Sequence, residues 1–434
     1  MRRVIRGEEE EKVMKVKLPY GKGYLAAEIP DENIIKVLTA RDYEALKNPD
    51  EEIERSLKEP IDKDPLRDLV KPGMKVAVIT TDNTRACPDD VLLPHILREL
   101  RAGGVWKDDI TIIIGTGLHR KLTREEMEEV VGKEVLQSYR VLCHDADGDC
   151  VKIGETSRGN PVEINRRVYE ADFIVSTGFI EPHFFAGFSG GRKLIMPAVS
   201  SRRAIYEHHS FEMIDHPKVR TGILEGNPFH EDMVEQAEIA GLDFIVNVVL
   251  NRFKEIVGVF SGDFRKAHEE GVKLDREIVE VEVEEEADIA IASNSGYPLD
   301  RDFYQAVKGM DSASSVTKEG GTVIVVSECI DGIGPKSFYE IHKGAKSPDE
   351  VYERIKRNQP IESQWQNQIL ARIQKKNEII AVTSLEDEIV RDFLVTPARS
   401  IEEALEMAFE KHGRDARITV VTEGPFIMPV LKRR

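Results

Sequence analysis

Short apolar runs rich in Ile and Val alternate along this chain with stretches whose apolar residues recur every three to four positions. Residues 12–30 alternate around Val13, Val16, Leu18, Leu25 and Ile29, with Tyr20-Gly21-Lys22-Gly23 between the halves, which predicts a hairpin leading into a first domain. The pattern then predicts a short helix over 64–70, stopped at Pro72-Gly73, and a continuous apolar strand over 75–80. Thr81-Asp82-Asn83-Thr84-Arg85 leaves that strand as a polar loop, and a helix over 88–101 ends at Gly103-Gly104. The order then repeats. A strand over 109–114 exits through Gly115-Thr116-Gly117-Leu118-His119-Arg120, and Thr123 with Glu126 has the spacing of a capping box. A third strand, 171–176, runs into the stretch from Ile180 to Lys193, Ile-Glu-Pro-His-Phe-Phe-Ala-Gly-Phe-Ser-Gly-Gly-Arg-Lys.

Downstream, 244–250 and 256–260 read as a strand pair and 264–274 as a helix, with a domain boundary near residue 275 beside the charge run Glu284-Glu285-Glu286. The second part repeats the same grammar. Strands fall at 288–292, 321–327, 379–383 and 418–422; helices carry Tyr304, Gln305 and Lys308, then cover 348–358, 363–376 and 400–412. The expectation is an α/β protein of two α/β domains, 1–275 and 276–434, with mainly parallel, doubly wound sheets. Ligands of such sheets sit outside the carboxyl ends of the strands, where Asp82, Arg85, His119, His183 and Lys193 fall. The active site is therefore expected in the cleft between the domains at that edge.

Charge sharpens this picture. The 434 residues carry 79 acidic and 61 basic side chains, a net charge of −18, which argues against nucleic acid or an anionic membrane as partner. Against that field the paired cations Arg192 and Lys193 stand out. Four scattered cysteines, Cys87, Cys143, Cys150 and Cys329, form no disulfide framework, and no signal-like or membrane-spanning apolar stretch is present, so a cytoplasmic location is expected.

In the Ile180–Lys193 stretch, glycines free to turn backbone N–H groups inward, together with Arg192 and Lys193, suit a phosphate or carboxylate. The spacing is not that of a Walker loop, and Leu194 stands where that loop has a hydroxyl. His183 and His119, each at a strand exit, make a plausible acid/base pair for a reaction in which a proton leaves one face of a carbon centre and returns on the other. His208 and His209 follow a helix capped by Ser200-Ser201; neighbours on a helix point different ways, so at most one faces the site, where an imidazole suits nickel, copper or zinc. Cys143-His144 with Asp145, Asp147, Asp149 and Cys150 fits neither zinc nor calcium spacing and reads as a polar turn. Gln305 and Lys308, one turn apart, could grip a carboxylate or form a solvated face. Two rivals remain at this stage. One is a non-catalytic binding protein for a phosphate-bearing metabolite, which has no use for both histidines. The other is a serine hydrolase built on the formal elbow Gly187-Phe188-Ser189-Gly190-Gly191, for which no convincing Asp and His follow.

Asp82-Asn83-Thr84-Arg85, Gly115 to Arg120, and Glu181-Pro182-His183 through Gly190-Gly191-Arg192-Lys193 resemble the nickel-dependent lactate racemase family, as do Tyr304-Gln305-Ala306-Val307-Lys308 and Gln364-Trp365-Gln366. The resemblance spans nearly the whole chain from about residue 15; it departs where Ala86-Cys87-Pro88 stands in place of a proline directly after the Thr-Arg pair. It implies a racemase or 2-epimerase of 2-hydroxy acids that works by proton-coupled hydride transfer through a 2-keto acid. The implied cofactor is a nickel pincer nucleotide (pyridinium-3,5-bisthiocarboxylic acid mononucleotide nickel), made by maturation enzymes and covalently attached at Lys193. The resemblance further implies His209 as the nickel ligand, and Ser189, Gly190 and Gly191 around the cofactor phosphate with Asp82 at its ribose. His119 and His183 would be the acid/base pair, with Arg85, Gln305, Lys308 and Trp365 orienting substrate and cofactor.

Overall fold

The computed structural model describes residues 12–358 and 360–432. The chain divides into two units, one drawn from Arg41–Val279 and the other from the described parts of Met1–Ala40 and Glu280–Arg434.

The Arg41–Val279 unit is built on six strands in the order Ile256–Gly262, Phe244–Leu250, Phe173–Ile180, Val76–Thr80, Ile110–Ile114, Arg140–Cys143. All neighbours run parallel except the first pair, which is antiparallel. Successive side chains of a strand face opposite ways, so a sheet covered on both sides needs continuous apolar runs. The alternation is visible residue by residue. Val76, Val78, Ile110, Ile112, Phe173 and Val175 enter one core with Leu92, Leu93, Ile96 and Leu100 of the helix Asp89–Ala102. Ala77, Ile79, Ile113 and Ile174 enter a second core with Ala237 and Ala267, from the helices Pro228–Ala240 and Lys266–Val279. The sheet is doubly wound, as the pattern predicts.

The other unit has six parallel strands in the order Thr396–Ala398, Glu378–Val382, Thr317–Val326, Ala287–Ser293, Ile418–Val421, Ile34–Leu38. Ile289, Ile291, Ile324 and Val326 face one core, and Ala290, Ala292 and Val323 the other.

Residues 12–40 do not join the domain that follows them in sequence. The hairpin Val13–Tyr20/Gly23–Pro30 forms in the expected register, but Val16, Leu18, Ala27 and Ile29 bury themselves against Ile289, Ile324 and Ile418. Ile34–Leu38 then adds an edge strand beside Ile418–Val421. The chain therefore leaves this unit at Ala40 and re-enters it at Glu280, where a single boundary near residue 275 was expected. The helix expected to stop at 274 runs on to Val279, and the strand Glu280–Val283 follows it directly. The capping box forms as read, with Glu126 N–H donating to Thr123 Oγ1 and Thr123 N–H to Glu126. In the acidic turn, Asp145, Asp147 and Asp149 pair with Lys121, Arg202 and Arg166 at 2.6, 2.7 and 2.7 Å, and buried His144 donates from Nε2 to Ser200 O. It is a salt-bridged turn.

A fragment spanning residues 41–279 is expected to unfold in one cooperative thermal transition. A fragment spanning 280–432 without 12–40 loses the buried side chains of Val16, Leu18, Ala27, Ile29, Leu38 and Ala40, of which the Val, Leu and Ile are each worth about 1.5–3 kcal/mol, and is expected to lack that transition by circular dichroism.

Candidate active site

The strand Phe173–Ile180 ends beneath the glycine-rich stretch, which folds back on itself through the short pairing of Pro182–His183 with Gly187–Phe188. Ser189 latches the fold: its N–H donates to Glu181 O at 2.8 Å, its hydroxyl donates to Phe179 O at 2.8 Å, and Glu181 N–H donates back to that hydroxyl at 3.0 Å. At Gly190, φ is +78° and an added methyl would lie 2.7 Å from Asn247 Oδ1, so both conformation and space demand glycine. Asn247 Oδ1 in turn accepts the Gly191 N–H at 2.7 Å.

Arg192 is fully buried. Its Nη2 donates to Ala186 O and Phe188 O at 2.7 and 2.8 Å, and Nη1 lies 2.8 Å from Nε2 of buried His268. Desolvation lowers its pKa to about 9. The expectation of an anion cradle with Arg192 as countercharge therefore changes: the guanidinium braces main-chain carbonyls, and the N–H groups of Ser189 and Gly191 are spent on Glu181 and Asn247. What the loop does is hold Lys193, in the 3₁₀ turn Gly191–Leu194.

Lys193 is half-buried, and its Nζ lies 3.0 Å from His183 Nε2. Burial, then the charges of Arg85 and Arg192, push its pKa well below the ordinary lysine value, with Glu181 opposing weakly. His183 Nδ1 accepts from the N–H groups of Phe185 and Ala186, each at 3.4 Å, which places the ring proton on Nε2, facing the Lys193 amine. A desolvated lysine beside other cations gives up its proton more readily, which makes its amine a better nucleophile.

Two further strand exits meet this loop. Gly117 N–H donates to Ala198 O at 3.0 Å, and an added methyl at Gly115 would meet Ala198 Cβ at 2.7 Å, so the turn carrying His119 packs against the segment just after Lys193. His119 Nδ1 lies 2.6 Å from Oδ2 of Asp82, a carboxylate that is only 3% exposed. Burial acts to raise the Asp82 pKa, but hydrogen bonds from His119 and Thr84 and the charge of Arg85 outweigh it and hold the group below its usual value. Beneath this loop, Asp89 at the head of its helix accepts from Thr81 N–H and Oγ1 and from Thr177 Oγ1; burial raises its pKa to about 6.

The helix Arg202–His208, capped by Ser201, delivers both adjacent histidines into the interior. His209 Nδ1 donates to Ile205 O at 2.9 Å, which leaves the lone pair on Nε2. Burial and then the nearby His208 and Lys193 drive its pKa well below the normal range, so the ring is neutral. This is the form in which imidazole binds a borderline metal, with its other nitrogen anchored to a carbonyl. Among the described residues no group of three or more His, Cys, Asp or Glu is arranged to hold a metal ion, so a metal at His209 needs ligands from outside the chain. The neutral, anchored His209 fits a metal-bearing group that brings further ligands of its own. Phe185 joins the parts: its ring is 4.8 Å from His183, 6.1 Å from His209 and 5.3 Å from Phe229, with Phe229 4.8 Å from His209.

Asp82, Arg85, His119, His183, Lys193 and His209 thus gather through hydrogen bonds and mutual fields. The other three residues singled out lie in the second unit. Gln305 and Lys308 are partly exposed on the helix Phe303–Ser315, and Trp365 is partly exposed on Gln364–Lys376; Gln366 Nε2 donates to Tyr304 O at 2.9 Å across these two helices. The sequence reading missed Arg192 as a brace, and Asn247, Phe229 and Asp89 altogether. Phe229 alone had a local signal, since Asn227-Pro228 and Gly241 bracket its helix as N-cap, first residue and left-handed C-cap.

Three predictions follow from this geometry. Lys193 should react with an amine-directed acylating reagent at neutral pH faster than the surface lysines, read by peptide mass spectrometry. Arg192→Lys should lower stability in urea by about 3 kcal/mol or more, because an ammonium cannot reach both carbonyls as the fork does. The third concerns pH. Burial depresses His208 to about 3, His230 to about 2 and His268 to about 3, so below 6.5 the unfolded chain takes up protons that the folded one refuses. Stability is full above the unfolded value and falls with pH, by up to about 1.4 kcal/mol per group per pH unit. Melting temperature should drop steeply from pH 7 to pH 5.

Comparison with known proteins meets this geometry from the other side. The family model described as the lactate racemase N-terminal domain matches residues 20–222, and the one described as the lactate racemase C-terminal domain matches residues 282–428. Lactate racemase from Thermoanaerobacterium thermosaccharolyticum is 39% identical over 417 residues, covering 94% of this chain and 97% of that protein. Lactate racemase from Lactiplantibacillus plantarum is 39% identical over 421 residues, 95% of this chain and 99% of that one. The solved apoprotein from T. thermosaccharolyticum superposes with a TM-score of 0.90 at 38% identity, over 97% of this chain and 100% of that chain. A Thermotoga maritima protein at 19% identity shares the fold, with a TM-score of 0.62 over 88% of this chain and 98% of that one. Two family models over most of the chain and two relatives at 39% identity over nearly the full length settle the matter: the chain belongs to the lactate racemase family and is an isomerase of the racemase class.

Proposed function

We propose that this racemase inverts the hydroxyl-bearing carbon of lactate or a related 2-hydroxy acid, with a nickel pincer nucleotide attached at Lys193. Both curated relatives carry the name lactate racemase. The observation that supports the cofactor assignment is the Lys193 amine, 3.0 Å from His183 Nε2 and with its pKa lowered first by burial, beside His209, whose Nδ1 is anchored to Ile205 O. The lowered pKa raises the share of amine in the neutral form that the linkage needs. Lys193 would tether the group and His209 would ligate its nickel through Nε2. When bound, the nucleotide supplies the hydride acceptor and donor, a chemistry that no side chain of the site offers.

The work left to the chain is proton transfer and orientation. Inverting a 2-hydroxy acid by way of a planar 2-keto acid requires the hydroxyl proton to leave and return. His119 and His183 are the groups that hold it, one for each enantiomer. Arg85, exposed and cationic, is suited to the substrate carboxylate. Gln305, Lys308 and Trp365 take orienting roles on the family resemblance. The four cysteines are free thiols, which accords with a cytoplasmic location alongside the enzymes that build the cofactor.

Protein produced together with those enzymes is expected to carry a mass adduct on Lys193 and about one nickel, and to destroy the optical rotation of D- or L-lactate. His119→Ala and His183→Ala should each lower the rate by about 10²–10⁴-fold while adduct and nickel persist. Absence of both adduct and nickel, or full activity in either variant, refutes the reading.

A further inference from the structure

The resemblance sends Asp82 to the cofactor ribose, but its carboxylate is already committed. Oδ1 accepts from Thr84 N–H at 3.1 Å and from Thr84 Oγ1 at 2.5 Å; Oδ2 faces His119 Nδ1 at 2.6 Å. The acid is 3% exposed, whereas the side chain it anchors is 44% exposed. An ionised carboxylate can only accept, so His119 must donate from Nδ1. Nε2 is left as the ring nitrogen able to take up a proton. His183 is held the other way, because its Nδ1 faces two backbone N–H donors and its proton is on Nε2. The two histidines therefore rest in opposite tautomers, and a buried carboxylate stands behind His119.

We propose that Asp82 is the positioning residue of His119, holding the ring in the Nδ1–H tautomer so that Nε2 enters the reaction as the proton acceptor. Thr84 completes the device by fixing the carboxylate through its other oxygen. Losing the carboxylate matters more than losing one hydrogen bond. An asparagine could turn its NH₂ toward Nδ1, and the ring would then carry its proton on Nε2, where the substrate hydroxyl must deliver one. The inference builds on the lactate-racemase reading of the site, yet its central observable needs neither substrate nor cofactor.

That observable is the ¹⁵N pattern of the histidine rings in the unloaded protein, with His119 assigned by loss of its signals in His119→Gln. The expected wild-type pattern is Nδ1–H with an unprotonated Nε2, shifting toward Nε2–H in Asp82→Asn. After loading, Asp82→Asn should keep nickel and the Lys193 adduct within about twofold of wild type, while kcat for lactate falls by about 10²–10⁴-fold with little change in KM. Wild-type His119 found as Nε2–H overturns the proposal even if the variant does not fold. So does a variant that loses adduct and nickel instead of turnover, which would make Asp82 a cofactor contact, and so does a variant that turns over at the wild-type rate. A loaded wild type that racemises no 2-hydroxy acid, yet shows the Nδ1–H pattern, sinks the proposed function and leaves the Asp82-held tautomer standing.

Discussion

A buried guanidinium satisfied by main-chain carbonyls organises the site. Arg192 is fully buried and draws Ala186 O and Phe188 O onto one nitrogen, so its charge is met by carbonyl dipoles rather than by an anion. Leaving those carbonyls bare would cost about 1–3 kcal/mol each, which makes the loop conformation follow from where this one side chain sits. The field of that charge has a second effect. It reaches Lys193, the next residue, and with burial and Arg85 it drives the amine toward its neutral form. Structure and reactivity are thus linked: the brace that shapes the loop also adds, after burial and Arg85, to the lowering of the lysine pKa at its end.

The histidines divide along similar lines. His208, His209, His230 and His268 are all shifted downward with burial as the first cause, even though the Asp232 carboxylate lies 3.5 Å from His208. They serve as neutral rings, for packing or for ligation. His119 is different, being largely exposed and backed by a buried carboxylate. On the proposed function, the ring that exchanges protons is thus kept out of the interior where burial sets the state of the others.

Much of the architecture was legible because its signals are local. Continuous Ile and Val runs identified strands of a sheet covered on both faces, and Thr123 with Glu126 identified a cap. The lysine, the histidines and Arg85 were placed at strand exits for the same reason. What stayed hidden depends on partners far along the chain. Asp82 and His119 are 37 residues apart, Gly191 and Asn247 are 56 apart, and Arg192 and His268 are 76 apart. No periodicity encodes such pairs. The N-terminal hairpin shows the same limit: alternation revealed its strands, but not that its apolar face would be claimed by Ile289 and Ile418, more than two hundred residues away.

Keeping Lys193 uncharged has a thermodynamic consequence. A lysine whose folded pKa lies well below its unfolded value of 10.5 binds fewer protons when folded, so it destabilises the fold at neutral pH, and the penalty fades only as pH rises through that window. Burial of an unpaired Arg192 adds to the same side. A fold selected for stability alone would not place two such groups next to each other. On the proposed attachment, a covalent link at Lys193 would remove the titrating group, and with it a cost that the fold otherwise carries at neutral pH.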